Sequence, residues 1–160
     1  MKKGVIVVFS NNEKEIKEYP FNTLLIKDIQ DICFVNNASK DSTLDKLKEI
    51  KSFDNVSVID VKKNKGVKAA IKAGVRYLIN NEDLQLIVYL EFYKNNNFAN
   101  LDQTLNLIID SNKKIIDLFT NTNNRTMLQN VFSSEQLINK LRFEKIKQKK
   151  ASQNEKLFFV

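Results

Sequence analysis

The sequence predicts an α/β protein built on an open, mostly parallel sheet with helices on both faces. Three observations carry that prediction. Short β-branched apolar runs recur, amphipathic helical stretches lie between them, and polar turn residues mark the junctions. Strands separated by helices pair in parallel through crossovers, so one sheet collects them.

Val5–Phe9 is a continuous β-branched run suited to a strand buried on both faces. Residues 12–19 read as a brief helix that Pro20, the only proline, stops. Residues 22–29 fit a helix face and a strand equally well. Asp31–Val35 is the second strand. Ser39-Lys40-Asp41-Ser42-Thr43 then supplies N-cap chemistry for a helix through Lys51, with Leu44, Leu47 and Ile50 at helical spacing. Val56–Val61 alternates as a third strand. Gly66 opens a helix whose Val67, Ala70, Ile71, Gly74, Val75 and Leu78 share a face. Leu84–Leu90 is a fourth strand running into a polar loop, Glu91–Asn97. A helix over Leu101–Asp110 and a strand over Lys114–Phe119 follow. Residues 1–132 are thereby assigned to the α/β domain. Residues 133–160 form a basic helix and tail, either part of that domain or an appendage.

A chain of 160 residues favours one domain. It has no histidine and one cysteine, so neither a His-based nucleophile system nor a His/Cys zinc site can be assembled. Acid/base or metal chemistry falls to Asp, Glu, Lys, Tyr or the backbone. A lone cysteine forms no internal disulfide, which fits a reducing compartment. Within Ile32-Cys33-Phe34-Val35 the thiol is expected to pack as a small hydrophobe. Met1-Lys2-Lys3 before Gly4–Phe9 mimics a signal peptide, but the apolar stretch is short. No run reaches the roughly 18 apolar residues of a membrane span. A cytoplasmic protein is expected.

The net charge of +7 is concentrated in residues 139–160. There Lys140, Arg142, Lys145, Lys147, Lys149, Lys150 and Lys156 oppose only Glu144 and Glu155. A tail carries the basicity, so nucleic acid is disfavoured as a partner. Leu137, Ile138, Leu141 and Ile146 interleave with these cations over 137–150. That helix either packs on the sheet with a solvated outer face or lies peripherally on an anionic membrane, at the inner face. Leu157-Phe158-Phe159-Val160 packs back on the core or offers a contact to a protein partner or second copy.

Ligands of open α/β sheets sit beyond the carboxyl ends of the strands. Residues 9–13, 36–41, 61–66 and 91–97 therefore converge on the candidate site. Neither GxGxxG nor GxxxxGK[ST] occurs there, which disfavours dinucleotide and P-loop readings. Lys65, Lys68 and Lys72 flank a helix N-terminal region, where they either attract a diphosphate or form solvated surface. Ser39 and Asp41 either touch a ligand or act as helix caps, and capping explains them unaided.

Four fragments meet at these ends: Val7-Val8-Phe9-Ser10-Asn11-Asn12-Glu13, Phe34-Val35-Asn36-Asn37-Ala38-Ser39-Lys40-Asp41-Ser42-Thr43, Asn64-Lys65-Gly66-Val67-Lys68-Ala69-Ala70-Ile71-Lys72-Ala73-Gly74 and Ile87-Val88-Tyr89-Leu90-Glu91-Phe92-Tyr93. In order and spacing they resemble I-I-P-x-Y-N-E, V-V-D-D-G-S-x-D-x-T, N-x-G-x-x-x-A-x-N-x-G and a strand ending in D-x-D. These are the motifs of glycosyltransferase family 2, and the resemblance covers roughly residues 4–120. It implies a GT-A, Rossmann-like fold and transfer of a sugar from a nucleotide-diphosphate sugar. It implies donor contacts at Phe9, Ser10, Asn11, Glu13, Asn36 and Asn37, joined by Lys68, and a Mg²⁺ or Mn²⁺ ligand at Glu91.

The chain also departs from the pattern. Phe9 and Asn11 stand at the Pro and Tyr positions, Asn36 and Asn37 replace the paired acids, and Glu91-Phe92-Tyr93 replaces D-x-D. The metal motif thus lacks its second acid, and the stretch after Phe119 is short for an acceptor-binding half. A truncated fold is expected. Two functions follow: a transferase that is impaired or dependent on a partner, or an inactive domain serving as a nucleotide-binding or protein-interaction module. A receiver-like regulatory domain would need an acidic pocket after the first strand, which Ser10-Asn11-Asn12 does not provide.

Overall fold

A computed structural model describes residues 2–18, 29–50, 53–81, 84–92, 105–106, 108–109, 131–139, 142 and 146. Among them, five strands form one sheet: β1 (Lys3–Phe9), β2 (Asp31–Asn37), β3 (Val56–Val61), β4 (Leu86–Glu91) and β5 (Val131–Ser133). Their order is β3-β2-β1-β4-β5 and every pairing is parallel. Helices α1 (Glu13–Glu18), α2 (Thr43–Ile50) and α3 (Val67–Asn81) connect them. The expected open α/β architecture is present.

Central parallel strands are covered on both faces, so their side chains must be apolar in both directions. β1 is buried along its whole length and apolar from Val5 to Phe9, and β2 is buried from Ile32 to Asn37. Alternate residues then feed two cores. Val5, Val7, Phe9, Phe34, Val56 and Val88 pack on one face with Ile16 of α1, Leu47 of α2, Leu105, Ile108 and Leu137. Ile6, Val8, Cys33, Val35 and Ile87 pack on the other against Ala70, Val75 and Leu78 of α3. Cys33 is fully buried as expected, and burial pushes its thiol up to about 12.

Topology explains why α3, among the described residues, lies on the face opposite α1 and α2. The connections from β1 to β2 and from β2 to β3 move one way across the sheet; the one from β3 to β4 moves back past β1. A constant crossover hand therefore puts α1 and α2 on one side and α3 on the other. Gly74 allows α3 to lie close, because a Cβ there would stand 2.9 Å from Ile6 Cγ2.

Several boundaries differ from the sequence reading. β2 runs two residues further, because Asn36 and Asn37 continue the ladder opposite Asp60 and Val61. β4 begins at Leu86 and includes Glu91. β5 was not foreseen, since Val131-Phe132-Ser133 is too short to show a period. The expected helix over 101–110 is present at 105–106 and 108–109. The ambiguous segment 22–28, the loop 93–97 and the strand expected over 114–119 lie outside the described residues, as do most residues after 139. Leu137 is in the core, whereas Arg142 and Ile146 are exposed. No helix among the described residues is long and apolar enough to cross a membrane.

Candidate functional site

Strand order reverses between β1 and β4, and the carboxyl edge at such a switch point is where open α/β sheets bind ligands. The groups along that edge come from β1, β2, β3 and β4.

The turn after β1 is hydrogen-bonded to the turn after β2. Asn11, at a φ of 54°, donates its N–H to Ser39 Oγ (3.0 Å) and accepts the Lys40 N–H on Oδ1 (2.8 Å). Asn12 donates its N–H to Thr43 Oγ1 (2.7 Å), and its Oδ1 takes the Ser10 N–H (2.8 Å). The Asp41 carboxylate accepts the Glu13 N–H (3.2 Å) and the Thr43 N–H (3.0 Å), so one side chain caps the starts of both α1 and α2. In return Glu13 accepts the Ser42 N–H at 3.3 Å and pairs with Lys17 at 2.6 Å. The Lys17 hydrogen bond, aided by Ser42, holds the Glu13 carboxyl below its usual value. Burial acts to raise Asp41, but bonds from the Thr43 hydroxyl and from the Thr43 and Glu13 amides bring it below the ordinary range.

Next along the edge, Asn36 and Asn37 end β2, each 2% exposed. Asn36 Nδ2 donates to Asp60 Oδ1 at 2.8 Å, and Lys62 pairs with the other Asp60 oxygen. The Lys62 ammonium first, then the Asn36 amide, hold the Asp60 carboxyl low against its partial burial. The Oδ1 atoms of Asn36 and Asn37 are buried without a hydrogen-bond partner. Buried acceptors are rarely left so.

Glu91 ends β4 half-buried, in register with Val8. Phe92 turns into the core, its ring 4.6 Å from that of Phe9, which is itself 5.2 Å from Phe34. Tyr93 lies outside the described residues. Among those described, no three His, Cys, Asp or Glu side chains are grouped to hold a metal ion. At the D-x-D position the chain thus has one carboxylate, Glu91, and the ring of Phe92 fills the middle place rather than that of the second acid. Across the sheet, Gly66 begins α3 with a φ of +87°, its carbonyl accepting the Ala69 and Ala70 N–H groups. Lys65, Lys68 and Lys72 are exposed there.

The residues expected at the site are therefore at one edge in different roles. Ser10, Asn11 and Glu13 build the joined turns. Asn36 shares the sheet face of Phe9 and Asp60, while Asn37 shares the α3 face with Glu91. Phe9 has its ring wholly inside the core. Asp60 was missed. Its signal was legible, since period-two alternation places a carboxylate on the same face as Val56 and Val58 at a strand's end.

No curated protein matches the chain. A family model, that of glycosyl transferase family 2, matches residues 4–90, from the start of β1 almost to the end of β4. That span includes every pairing of the four long strands and the joined turns, and it is more than half of the chain. The chain belongs to glycosyl transferase family 2.

Proposed function

We propose that the chain binds a nucleotide-diphosphate sugar at the carboxyl edge of β1, β2 and β4 and transfers its sugar to an acceptor. The observation that carries this reading is the pair of buried amide oxygens on Asn36 and Asn37 that lack partners. A base N–H or a ribose hydroxyl supplies what each needs. Family 2 members bind nucleotide sugars, and an asparagine oxygen accepts such donors as a carboxylate does, without the charge. The joined turns carrying Ser10, Asn11 and Glu13 fix the rim. Lys68, at the first turn of α3, opposes the diphosphate charge that grows as the sugar–phosphate bond breaks and the acceptor oxygen bonds the anomeric carbon. Glu91 has no assigned cation in this scheme. A protein partner or a second copy of the chain brings the acceptor.

One observation favours a second reading, a nucleotide-binding module without transfer: Tyr93 stands where the metal motif has its second acid. Thermal unfolding with UDP, GDP and their sugar conjugates, in Mn²⁺ and in EDTA, tests binding. At 100 times Kd a ligand adds about 2.7 kcal/mol to apparent stability. Stabilisation by at least one nucleotide, equal in Mn²⁺ and EDTA and unaffected by Glu91→Ala, is expected. Indifference to all of them ends both readings. Release of nucleoside diphosphate from a bound donor in the presence of acceptor then separates transferase from module.

A further inference from the structure

Helices α1 and α2 follow the helix dipole. α1 carries Glu13 and Glu15 in its first turn and Lys17 in its last, and α2 carries Asp45 and Lys48 in the same places. α3 does not: it has no acid in its first turn and no cation in its last. Residues 62–81 hold Lys62, Lys63, Lys65, Lys68, Lys72 and Arg76 and no Asp or Glu. Lys68, Lys72 and Arg76 recur every fourth residue, so they form one exposed stripe on the side of α3 away from the buried Ala70, Gly74 and Leu78. Like charges at that spacing repel, and a cation near a helix N-terminus opposes the dipole. The lysines in described ion pairs are Lys17, Lys46, Lys48 and Lys62. No cation of the stripe has a carboxylate partner among the described residues. The stability of α3 does not account for the stripe, whereas an anionic partner does.

Ile79 is a second and independent observation. It stands three residues beyond Arg76 and seven beyond Lys72, on the same side of the helix, and is 46% exposed. A cation stripe that ends on an isoleucine fits an anionic lipid surface. Headgroup phosphates meet the cations, and the acyl boundary takes the apolar side chain. A single-stranded nucleic acid offers the phosphates, but its bases need aromatic platforms. The aromatic of α3, Tyr77, is held instead by Ser57, hydroxyl to hydroxyl at 2.8 Å.

We propose that the outer face of α3 docks the chain on a membrane rich in anionic lipid, through Lys68, Lys72 and Arg76 and with Ile79 at the acyl boundary. The inference goes beyond the donor-binding reading and stands without it.

Flotation of the full chain with vesicles of phosphatidylcholine, alone or mixed with phosphatidylglycerol, tests this. The unaltered chain floats with the mixed vesicles only, and less so as salt rises. Each cation near such a surface is worth about fivefold in binding, so Lys72→Gln with Arg76→Gln lowers it about 25-fold. Ile79→Gln lowers it about fivefold by removing apolar burial. Lys147→Gln with Lys149→Gln removes the same charge from elsewhere in the chain and lowers binding by less than about threefold. Circular dichroism melts check folding: the α3 double variant keeps or gains stability, because a repelling pair is gone. If that variant does not fold, Ile79→Gln decides. No binding to mixed vesicles, equal binding to both kinds, or equal losses in the two double variants overturns the inference. An Ile79→Gln chain that binds as the unaltered chain does overturns the lipid assignment. So does single-stranded RNA binding that the α3 double variant loses while its vesicle binding stays. None of these outcomes bears on nucleotide binding.

Discussion

Asp41 accepts the first backbone N–H of two helices with one carboxylate, reaching Glu13 of α1 and Thr43 of α2. Those amides have no partner within their own helices, so the side chain replaces water at two termini together. Asp41→Ala is expected to cost about 1–2 kcal/mol, the range for losing a strong cap. Urea denaturation read by circular dichroism checks it, and a loss within error of zero would show that water replaces the carboxylate. Ser39 and Asp41 were read from the sequence as capping residues; Asp41 caps α2 through the Thr43 N–H, whereas Ser39 takes the Asn11 N–H of the other turn. What the sequence did not show is that both reach across between the turns, Asp41 by taking the Glu13 N–H.

Among the elements, α3 depends on two glycines for different reasons. Gly74 faces Ile6 at a separation that a methyl group would violate, and Ile6 is fully buried with little room to yield. Gly74→Ala is expected to cost about 1–3 kcal/mol through overpacking. Gly66 has open space around its missing Cβ but a φ of +87°. Gly66→Ala is expected to cost about 1–2 kcal/mol through backbone strain alone. Pairing each with Ile6→Ala in a double-mutant cycle separates the causes: loss of the γ and δ carbons that face Gly74 relieves Gly74→Ala and leaves Gly66→Ala unchanged. Equal relief at both positions would contradict this account. The helix itself was legible from its apolar face. The contact at Gly74 was not, since it depends on which strand lies beneath.

Taken as a whole, the molecule places its lowered carboxyl groups, Glu13, Asp41 and Asp60, at the carboxyl edge of the sheet. Each is more acidic folded than unfolded. Its stabilising contribution is therefore present above the unfolded pKa and is lost as pH falls through the folded value. Stability is expected to decline from about pH 4 downward, where unfolded carboxylates have begun to take up protons. Urea midpoints between pH 6 and pH 2 measure it, and Asp41→Ala should show a shallower acid decline than the unaltered chain. An identical decline would assign the acid sensitivity to other groups. The same edge is the proposed donor site, so acid should weaken nucleotide binding along with the joined turns.

The alternation of strand and helix was written locally, in β-branched runs such as Val5–Phe9, in the one-sided face of 67–78 and in the Gly66 turn. Neighbours in sequence suffice for such patterns, because backbone sterics and the period of burial act over a few residues. The addition of Val131–Ser133 to the sheet and the joining of two turns across 28 residues were decided only by the tertiary structure. The turn of the Asn36 amide toward Asp60 belongs with them. An amide has no preferred face of its own, and the carboxylate that orients it comes from a strand 24 residues away.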